Sequence, residues 1–381
     1  MQSVDALRGD AHACVESAGA DKSAVCTESA GSTADAAEPR TVRVSHYFEW
    51  ERFVTGGQAQ SVANQRRVLE DHGIDYTTDP DLSADLLHLN NMGPRSVLTA
   101  WRARRRGVPV VVTTHQTAAD FENSFAFSNA LSKPMGPYLE RAYSLADRLI
   151  CPSEHNRAVV DDYTDTPKRV ISNGFDPAKL AGHDDPDLRE QYLDRYDLDP
   201  PVVFTVAHVL KRKGLETFID TARAMPDTEF VWFGFLQPTH GPLGKLLQSG
   251  DTKRLVESAP DNCTFTGYVE DIAGAFAAGD VFYFPTHNEN EGMALLEAMS
   301  CGVPPVVRDI ETYDWLADGE ACLKADSAGG FETALRRVLD DPEERERVGA
   351  NARAVSEQFT LDAVGEELVG LYRELAENTT H

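Results

Sequence analysis

The segment that decides the fold runs from Phe284 to Asp309 and reads FPTHNENEGMALLEAMSCGVPPVVRD. A short apolar run ends at Phe284, an apolar helical pattern follows Gly292, and a β-branched run follows Gly302. This order predicts a strand, a loop, a helix, a tight turn and a second strand. It is the repeating unit of a parallel sheet covered by helices.

Two carboxylates of this segment, Glu289 and Glu297, have seven residues between them. The predicted elements place Glu289 in the loop after a strand and Glu297 one to two turns into the next helix. Both can therefore face a ligand at the start of that helix, where backbone N–H groups favour anions.

Strand and helix patterns also alternate outside this segment, from residue 42 onwards. Apolar strands such as VRVSHY, VPVVVTTH and VVFTVA are followed by amphipathic helices, which predicts an α/β fold with doubly wound parallel sheets. We expect a disordered acidic tail over residues 1–39, a Rossmann-like domain over 40–175, a linker over 176–200, a second Rossmann-like domain over 201–359, and a helix over 360–377 that crosses back to the first domain.

The charge of the chain limits its partners. Lys and Arg number 36 against 62 Asp and Glu, a formal net charge of −26. Nucleic-acid binding is not expected, because phosphate recognition needs clustered basic residues. Acidic residues spread along the chain are typical of a protein adapted to high salt, which favours a halophilic, archaeal source.

Neither a metal site nor a membrane span is predicted. The six cysteines are scattered without a Cys-x-x-Cys pattern, so reduced thiols are expected. No apolar run approaches the roughly 20 residues of a transmembrane helix, and the N-terminus has no signal-peptide pattern. We expect a cytoplasmic protein, at most peripheral at the inner face of the membrane.

The spacing of Glu289 and Glu297 and the wording EGMALLEAMSCGVPPVV resemble the E-x7-E signature of family-4 retaining glycosyltransferases, which have the GT-B fold of two Rossmann-like domains facing a cleft. Further segments, among them THQTAADFENSF and WFGF, are similar to bacterial enzymes that glucosylate 1,2-diacylglycerol. The resemblance covers nearly all of residues 42–340. It implies transfer of a hexose, with UDP-glucose favoured as donor, to a diacylglycerol- or archaeol-type lipid.

The resemblance also implies roles for residues of the second domain. HVLKRKG is similar to the family's diphosphate clamp and gives this role to Lys213, with Arg212 as a second cation. Glu297 would bind the ribose hydroxyls, and Glu289 the donor sugar and the positive charge at its anomeric carbon.

The loop that would bind the donor sugar, residues 289–293, is called the sugar loop. Its sequence E-N-E-G-M departs from the family's usual sequence E-G-F-G-L. Asn290, Glu291 and Gly292 would offer backbone N–H groups to the sugar. Either Glu289 or Glu291 can supply the sugar-binding carboxylate, and the spacing favours Glu289. The signature contains no Asp-x-Asp pair, so no metal requirement is expected.

In the first domain the resemblance implies three more site residues. His115 ends the strand VPVVVTTH and would contact the donor sugar, while Gly56 and Gly57 match a glycine loop that approaches donor and acceptor. The stretch Trp101-Arg102-Ala103-Arg104-Arg105-Arg106 is either a lipid-binding surface, with insertion supported by Phe121 and Phe125, or an ordinary basic helix end.

Three other functions remain open on this reading. The acceptor can be a polyprenyl-linked or surface polysaccharide instead of a lipid. A nucleotide-sugar 2-epimerase shares the same fold. A non-catalytic sugar-nucleotide-binding module would keep the cleft without the chemistry, but the presence of Glu289, Glu297, Lys213 and His115 together argues against it.

Overall fold

The computed structural model describes residues 42–117, 128–236 and 250–378. Two parallel sheets of six strands each form within these ranges, as the alternating pattern predicts. The strands are β1 Arg43–Tyr47, β2 Asp75–Thr77, β3 Leu86–Leu89, β4 Val110–Thr113, β5 Arg148–Cys151, β6 Lys168–Val170, β7 Val202–Val206, β8 Glu229–Phe233, β9 Cys263–Gly267, β10 Val281–Phe284, β11 Pro305–Arg308 and β12 Leu323–Ala325. Their order is β2-β1-β3-β4-β5-β6 in the first sheet and β12-β11-β10-β7-β8-β9 in the second.

Helices connect the strands and cover the sheets. They are α1 Gly57–Asp71, α2 Pro94–Arg105, α3 Ser128–Tyr143, α4 Glu154–Asp161, α5 Pro186–Tyr196, α6 Leu215–Ala224, α7 Gly250–Glu257, α8 Ile272–Ala278, α9 Met293–Ser300, α10 Ala328–Asp340, α11 Pro342–Ser356 and α12 Leu361–Asn378. Short 3-10 helices lie at Glu51–Phe53, Pro177–Leu180, Lys211–Lys213, Glu311–Tyr313 and Glu357–Phe359.

α9 ends before Gly302, as the sequence predicts, but the next strand begins only at Pro305, because the residues directly after the helix form its capping turn. Val303 N–H donates to Ala298 O at 3.1 Å and Gly302 N–H donates to Met299 O at 2.9 Å. Gly302 has φ of 70°, the left-handed value that this helix ending requires.

The first sheet is buried on both faces because adjacent residues of each strand point to opposite sides. Leu86 and Val111 pack against α12, whereas their neighbours Leu87 and Val110 pack against α2 and α3. The hydroxyl of Tyr372 on α12 lies 2.6 Å from His88 Nδ1 under this sheet. The chain therefore returns to the first sheet at its C-terminal end.

The second sheet is covered in the same way, and each sheet forms one lobe together with the helices that cover it. Phe204 and Phe282 belong to the core beneath α8 and α9, and Phe230 and Tyr283 to the core beneath α6 and α10. The segment over 176–200, predicted to be a linker, adds to this lobe: Tyr192 of α5 is buried there and its hydroxyl donates to Asp271 O at 2.7 Å. The domain limits themselves stay predictions.

Candidate functional site

A cleft of about 1160 Å³ lies where the carboxyl ends of strands from both sheets meet. This is where open α/β sheets bind their ligands. The cleft is lined by all ten residues selected from the sequence, namely Gly56, Gly57, His115, Arg212, Lys213, Glu289, Asn290, Glu291, Gly292 and Glu297.

A charge pair forms the floor of the cleft. Lys213 Nζ, at the end of a 3-10 helix, forms an ion pair with Glu289 Oε1. The same ammonium group lies 5.8 Å from the centre of the Phe284 ring, and Thr286 Oγ1 donates to Glu289 Oε1 at 3.2 Å. The side chains of Lys213 and Glu289 are only 15% and 10% exposed. The cleft thus presents a cation and a carboxylate side by side, an arrangement that suits a ligand carrying both a negative and a positive charge.

Arg212 fastens this 3-10 helix to the sugar loop. Its carbonyl oxygen accepts a hydrogen bond from His287 N at 2.8 Å, and its Nη1 donates to Asn288 O at 3.4 Å. The segment that carries the cations and the loop that carries Glu289 therefore form one unit.

The carboxyl of Glu297 lies on α9, which begins after Gly292. Burial raises the pKa of Glu297 to about 7, and the positive charge of Lys179 acts in the opposite direction. The carboxyl group therefore changes its charge near neutral pH. It lies in a wall of the cleft that the second lobe largely forms.

Glu291 differs from Glu289 in its partners. Its Oε2 accepts hydrogen bonds from Asn173 N at 3.1 Å and from Asn173 Nδ2 at 2.7 Å. Burial raises the pKa of Glu291 to about 7, although these hydrogen bonds favour the carboxylate. The two carboxylates that the sequence could not separate thus have distinct surroundings, one beside Lys213 and one at the junction with the first lobe.

His115 follows β4 and is held by a residue that the sequence did not single out. Its Nε2 lies 3.3 Å from Asn90 Oδ1, an oxygen that can only accept, so this contact favours the tautomer with the proton on Nε2 and Nδ1 as acceptor. Burial lowers the pKa of His115 to about 3, which keeps the ring neutral. The backbone oxygen of Asn90 also accepts a hydrogen bond from Gln58 Nε2 at 2.7 Å, and Asn90 Nδ2 lies 3.2 Å from His46 Nε2.

The glycine loop meets the second lobe at His208. Gly56 has φ of 75°, and a Cβ atom there would lie 2.7 Å from His208 Nε2. Thr55 Oγ1 is 3.4 Å from the same nitrogen. His208 therefore lies at a contact between the two lobes.

Another feature that the sequence did not indicate is an aromatic wall at the ends of β8 and β9. The rings of Phe235 and Tyr268 stack with centres 4.5 Å apart and planes within 9°. Both residues line the cleft, and Tyr268 is 60% exposed.

The basic stretch over 101–106 lies elsewhere, at the end of α2 and outside the lining of the cleft. Trp101 is 46% exposed, and the guanidinium of Arg105 lies 4.7 Å from its ring centre. The tail predicted over 1–39, and Phe121 and Phe125, expected to support membrane contact, lie outside the described residues.

Within the described ranges, no helix is both long enough and apolar enough to cross a membrane. Over the same part of the chain, no three His, Cys, Asp or Glu side chains group in a way that could hold a metal ion.

Comparison with known proteins identifies the family. Residues 191–355 match the family described as "Glycosyl transferases group 1", and residues 22–179 match "Glycosyltransferase Family 4". The chain is 31% identical over 330 residues to processive diacylglycerol alpha-glucosyltransferase of Acholeplasma laidlawii, which covers 84% of this chain and 94% of that protein. It is 27% identical over 302 residues to alpha-D-kanosaminyltransferase of Streptomyces kanamyceticus, with 76% of each covered.

Solved structures show the same fold. Sucrose-phosphate synthase of Thermosynechococcus elongatus superposes with a TM-score of 0.73 at 19% identity, covering 88% of this chain and 100% of that one. HepE of Anabaena, solved in complex with UDP-glucose, gives a TM-score of 0.68 at 15% identity, covering 87% and 99%.

These matches define a glycosyltransferase of GT-B fold, as the resemblance in sequence predicts. The chain belongs to the glycosyltransferase family that includes the diacylglycerol glucosyltransferases.

Proposed function

We propose that this protein transfers a hexose, glucose from UDP-glucose, with retention of anomeric configuration, to the hydroxyl of a diacylglycerol- or archaeol-type lipid. The observation that supports this most is the arrangement of Lys213, Glu289, Glu297 and His115 around one cleft. The relatives support the lipid acceptor, because they include an alpha-monoglucosyldiacylglycerol synthase of Streptococcus pneumoniae, 24% identical over 237 residues, besides the Acholeplasma enzyme.

The donor would bind mainly to the second lobe. Lys213 and Arg212 would neutralise the diphosphate as it leaves, the main electrostatic task in sugar transfer. The ionised carboxylate of Glu297 would accept hydrogen bonds from both ribose hydroxyls. Because the diphosphate competes with Glu289 for Lys213, donor binding would release the Glu289 carboxylate towards the sugar and the charge that develops at its anomeric carbon.

The first lobe would complete the sugar site. Neutral His115 offers Nδ1 as acceptor to a sugar hydroxyl, while Asn290, Glu291 and Gly292 offer backbone N–H groups from the other side. Gly56 and Gly57 would leave room for the acceptor hydroxyl beside the anomeric carbon. Since no nucleophile is carried over from the family motif, a phosphate oxygen of the leaving group would take the acceptor's proton, on the same face of the sugar. Lys213 and Arg212 would stabilise the departing diphosphate without a metal ion.

The lipid would be reached at the cytoplasmic face of the membrane through residues 101–106. Four arginines and an exposed Trp101 at the end of α2 fit an anionic surface, and about 1 kcal/mol per basic residue is available at low salt. In molar salt the Debye length falls to about 3 Å, so Trp101 would have to contribute by insertion. Sedimentation with anionic vesicles in molar salt should lose binding in Trp101→Ala. Trp315→Ala, a similarly exposed tryptophan at 40%, should keep it.

The function is tested by incubating the protein with a panel of nucleotide sugars, with and without lipid vesicles. We expect glucose transfer from UDP-glucose that depends on lipid. Formation of an epimer without acceptor would indicate the epimerase instead, and transfer only to a water-soluble glycan would indicate the polysaccharide enzyme. Binding of all donors without turnover would indicate a binding module.

A further inference from the structure

The sugar loop between β10 and α9 is bonded to the first lobe at three places by Asn290. Ser153 Oγ donates to Asn290 O at 2.5 Å, and Asn156 Nδ2 donates to Asn290 Oδ1 at 2.9 Å. Asn290 Nδ2 donates to His115 O at 3.2 Å. His115 follows β4, Ser153 lies between β5 and α4, and Asn156 lies in the first turn of α4. One side chain and one carbonyl group thus connect the loop to the ends of two neighbouring strands.

Glu291 extends this connection to a third strand and to α1. Glu291 is only 6% exposed, and its carboxylate accepts the two hydrogen bonds from Asn173, which follows β6. Asn173 Oδ1 in turn accepts from Ser61 Oγ at 2.5 Å, and Asn64 Nδ2 donates to Gly174 O at 2.8 Å. Ser61 and Asn64 belong to α1, the helix that the glycine loop precedes. The sugar loop and the glycine loop are therefore joined through Glu291 and Asn173.

We propose that Asn290 and Glu291 are positioning residues, which tie the sugar loop to the first lobe and so hold Glu289 in place for the donor sugar. The proposal rests on the proposed function for the identity of the sugar. On the other side the loop is held by the second lobe, because Thr312 Oγ1 donates to Glu289 O at 2.9 Å. A loop with the sequence E-G-F-G cannot form the same side-chain hydrogen bonds, since glycine has no side chain and phenylalanine has no acceptor.

The hydrogen bonds of Asn290 and Glu291 to the first lobe should affect binding of the sugar more than binding of the nucleotide. Lys213 and Glu297, proposed to bind diphosphate and ribose, are held by the 3-10 helix after β7 and by α9, both in the second lobe. The loop that contacts the sugar, by contrast, is also hydrogen-bonded to the first lobe through Asn290 and Glu291. Loosening it should therefore weaken productive binding of the nucleotide sugar and leave the affinity for the nucleoside diphosphate nearly intact.

The test compares Asn290→Gly, Glu291→Ala and Glu291→Gln with the wild type. Glu311→Ala is the matched control, because Glu311 also contacts the first lobe, 3.6 Å from His155 Nδ1, through a side chain that is 85% exposed. We expect the KM for UDP-glucose to rise about tenfold in Asn290→Gly and Glu291→Ala, the effect of a lost charge-assisted or buried hydrogen bond. The Kd for UDP should change by less than about twofold. Glu291→Gln keeps an acceptor oxygen and should restore much of the loss, and Glu311→Ala should resemble the wild type.

Small-angle scattering without any ligand provides a readout that does not depend on activity. The radius of gyration should increase in Asn290→Gly and Glu291→Ala, and stay that of the wild type in the control. An unchanged KM in both variants, or a loss of UDP affinity as large as the change in KM, overturns the proposal. If the wild type turns over no nucleotide sugar, the proposed function fails, and an unchanged radius of gyration in both variants then overturns the tie independently.

Discussion

Replacing Lys213 by alanine tests the charge pair on the floor of the cleft. Lys213 Nζ pairs with Glu289 Oε1, and both side chains are mostly buried. Removing one partner of a buried pair costs about 3–5 kcal/mol, because the other charge stays buried without its counterion. Thr286 Oγ1 still donates to Glu289 and the cleft admits water, so we expect a free energy of unfolding lower by about 3 kcal/mol.

The double variant Lys213→Ala/Glu289→Gln separates stability from binding. Urea denaturation should show that it regains most of the lost stability, since neither charge remains. Calorimetry should show UDP affinity about tenfold weaker or more in both variants, because a charge-assisted phosphate contact contributes about 1.5–3 kcal/mol. Glu289→Gln alone should not weaken UDP affinity, because no carboxylate then competes with the diphosphate for Lys213, and it should lose turnover, because the carboxylate acts on the sugar.

Lys211→Ala is the control for this series. Lys211 lies in the same 3-10 helix, but its Nζ pairs with Asp251 at 3.5 Å on the surface. We expect its stability and UDP affinity to match the wild type. A double variant no more stable than Lys213→Ala would refute the charge-pair reasoning, and unchanged UDP affinity in Lys213→Ala would refute the placement of the diphosphate.

Three further predictions concern other parts of the molecule. Because the pKa of Glu297 is raised to about 7, its carboxylate is lost as pH falls, so UDP affinity measured by calorimetry should weaken from about pH 8 to 6, and Glu297→Gln should remove this dependence. Gly56→Ala should reduce kcat/KM, since its Cβ meets the His208 ring at a left-handed φ, and His208→Ala should partly restore it; a rate equal to wild type would contradict the close approach. A chain starting at Arg40 should keep activity and Tm, because residues 1–39 lack a core pattern, and a clear loss of either would show that the tail contributes.

The fold could be predicted because its signals are local. Continuous apolar runs such as VPVVV become strands buried on both faces, and the spacing of Glu289 and Glu297 follows from one strand, one loop and one helix. The resemblance then assigned candidate roles to residues that the structure gathers at one cleft. Those roles, like the domain limits, remain predictions.

The partners of the polar side chains could not be predicted, because they depend on contacts between distant segments. Glu291 finds Asn173 at a separation of 118 residues, and His115 finds Asn90 at 25. The sequence shows that Asn90 follows the apolar run DLLHL, which places it at a strand end. It does not show which side chains from neighbouring strands will lie beside it.

The central claim is tested most directly by the product formed from UDP-glucose and vesicles that contain diacylglycerol or archaeol. Proton NMR of the purified glycolipid reports the configuration of the new bond. We predict an α-linked glucolipid that forms only when protein, donor and lipid are all present. A β-linked product, or no lipid-linked glucose at all, would contradict the account.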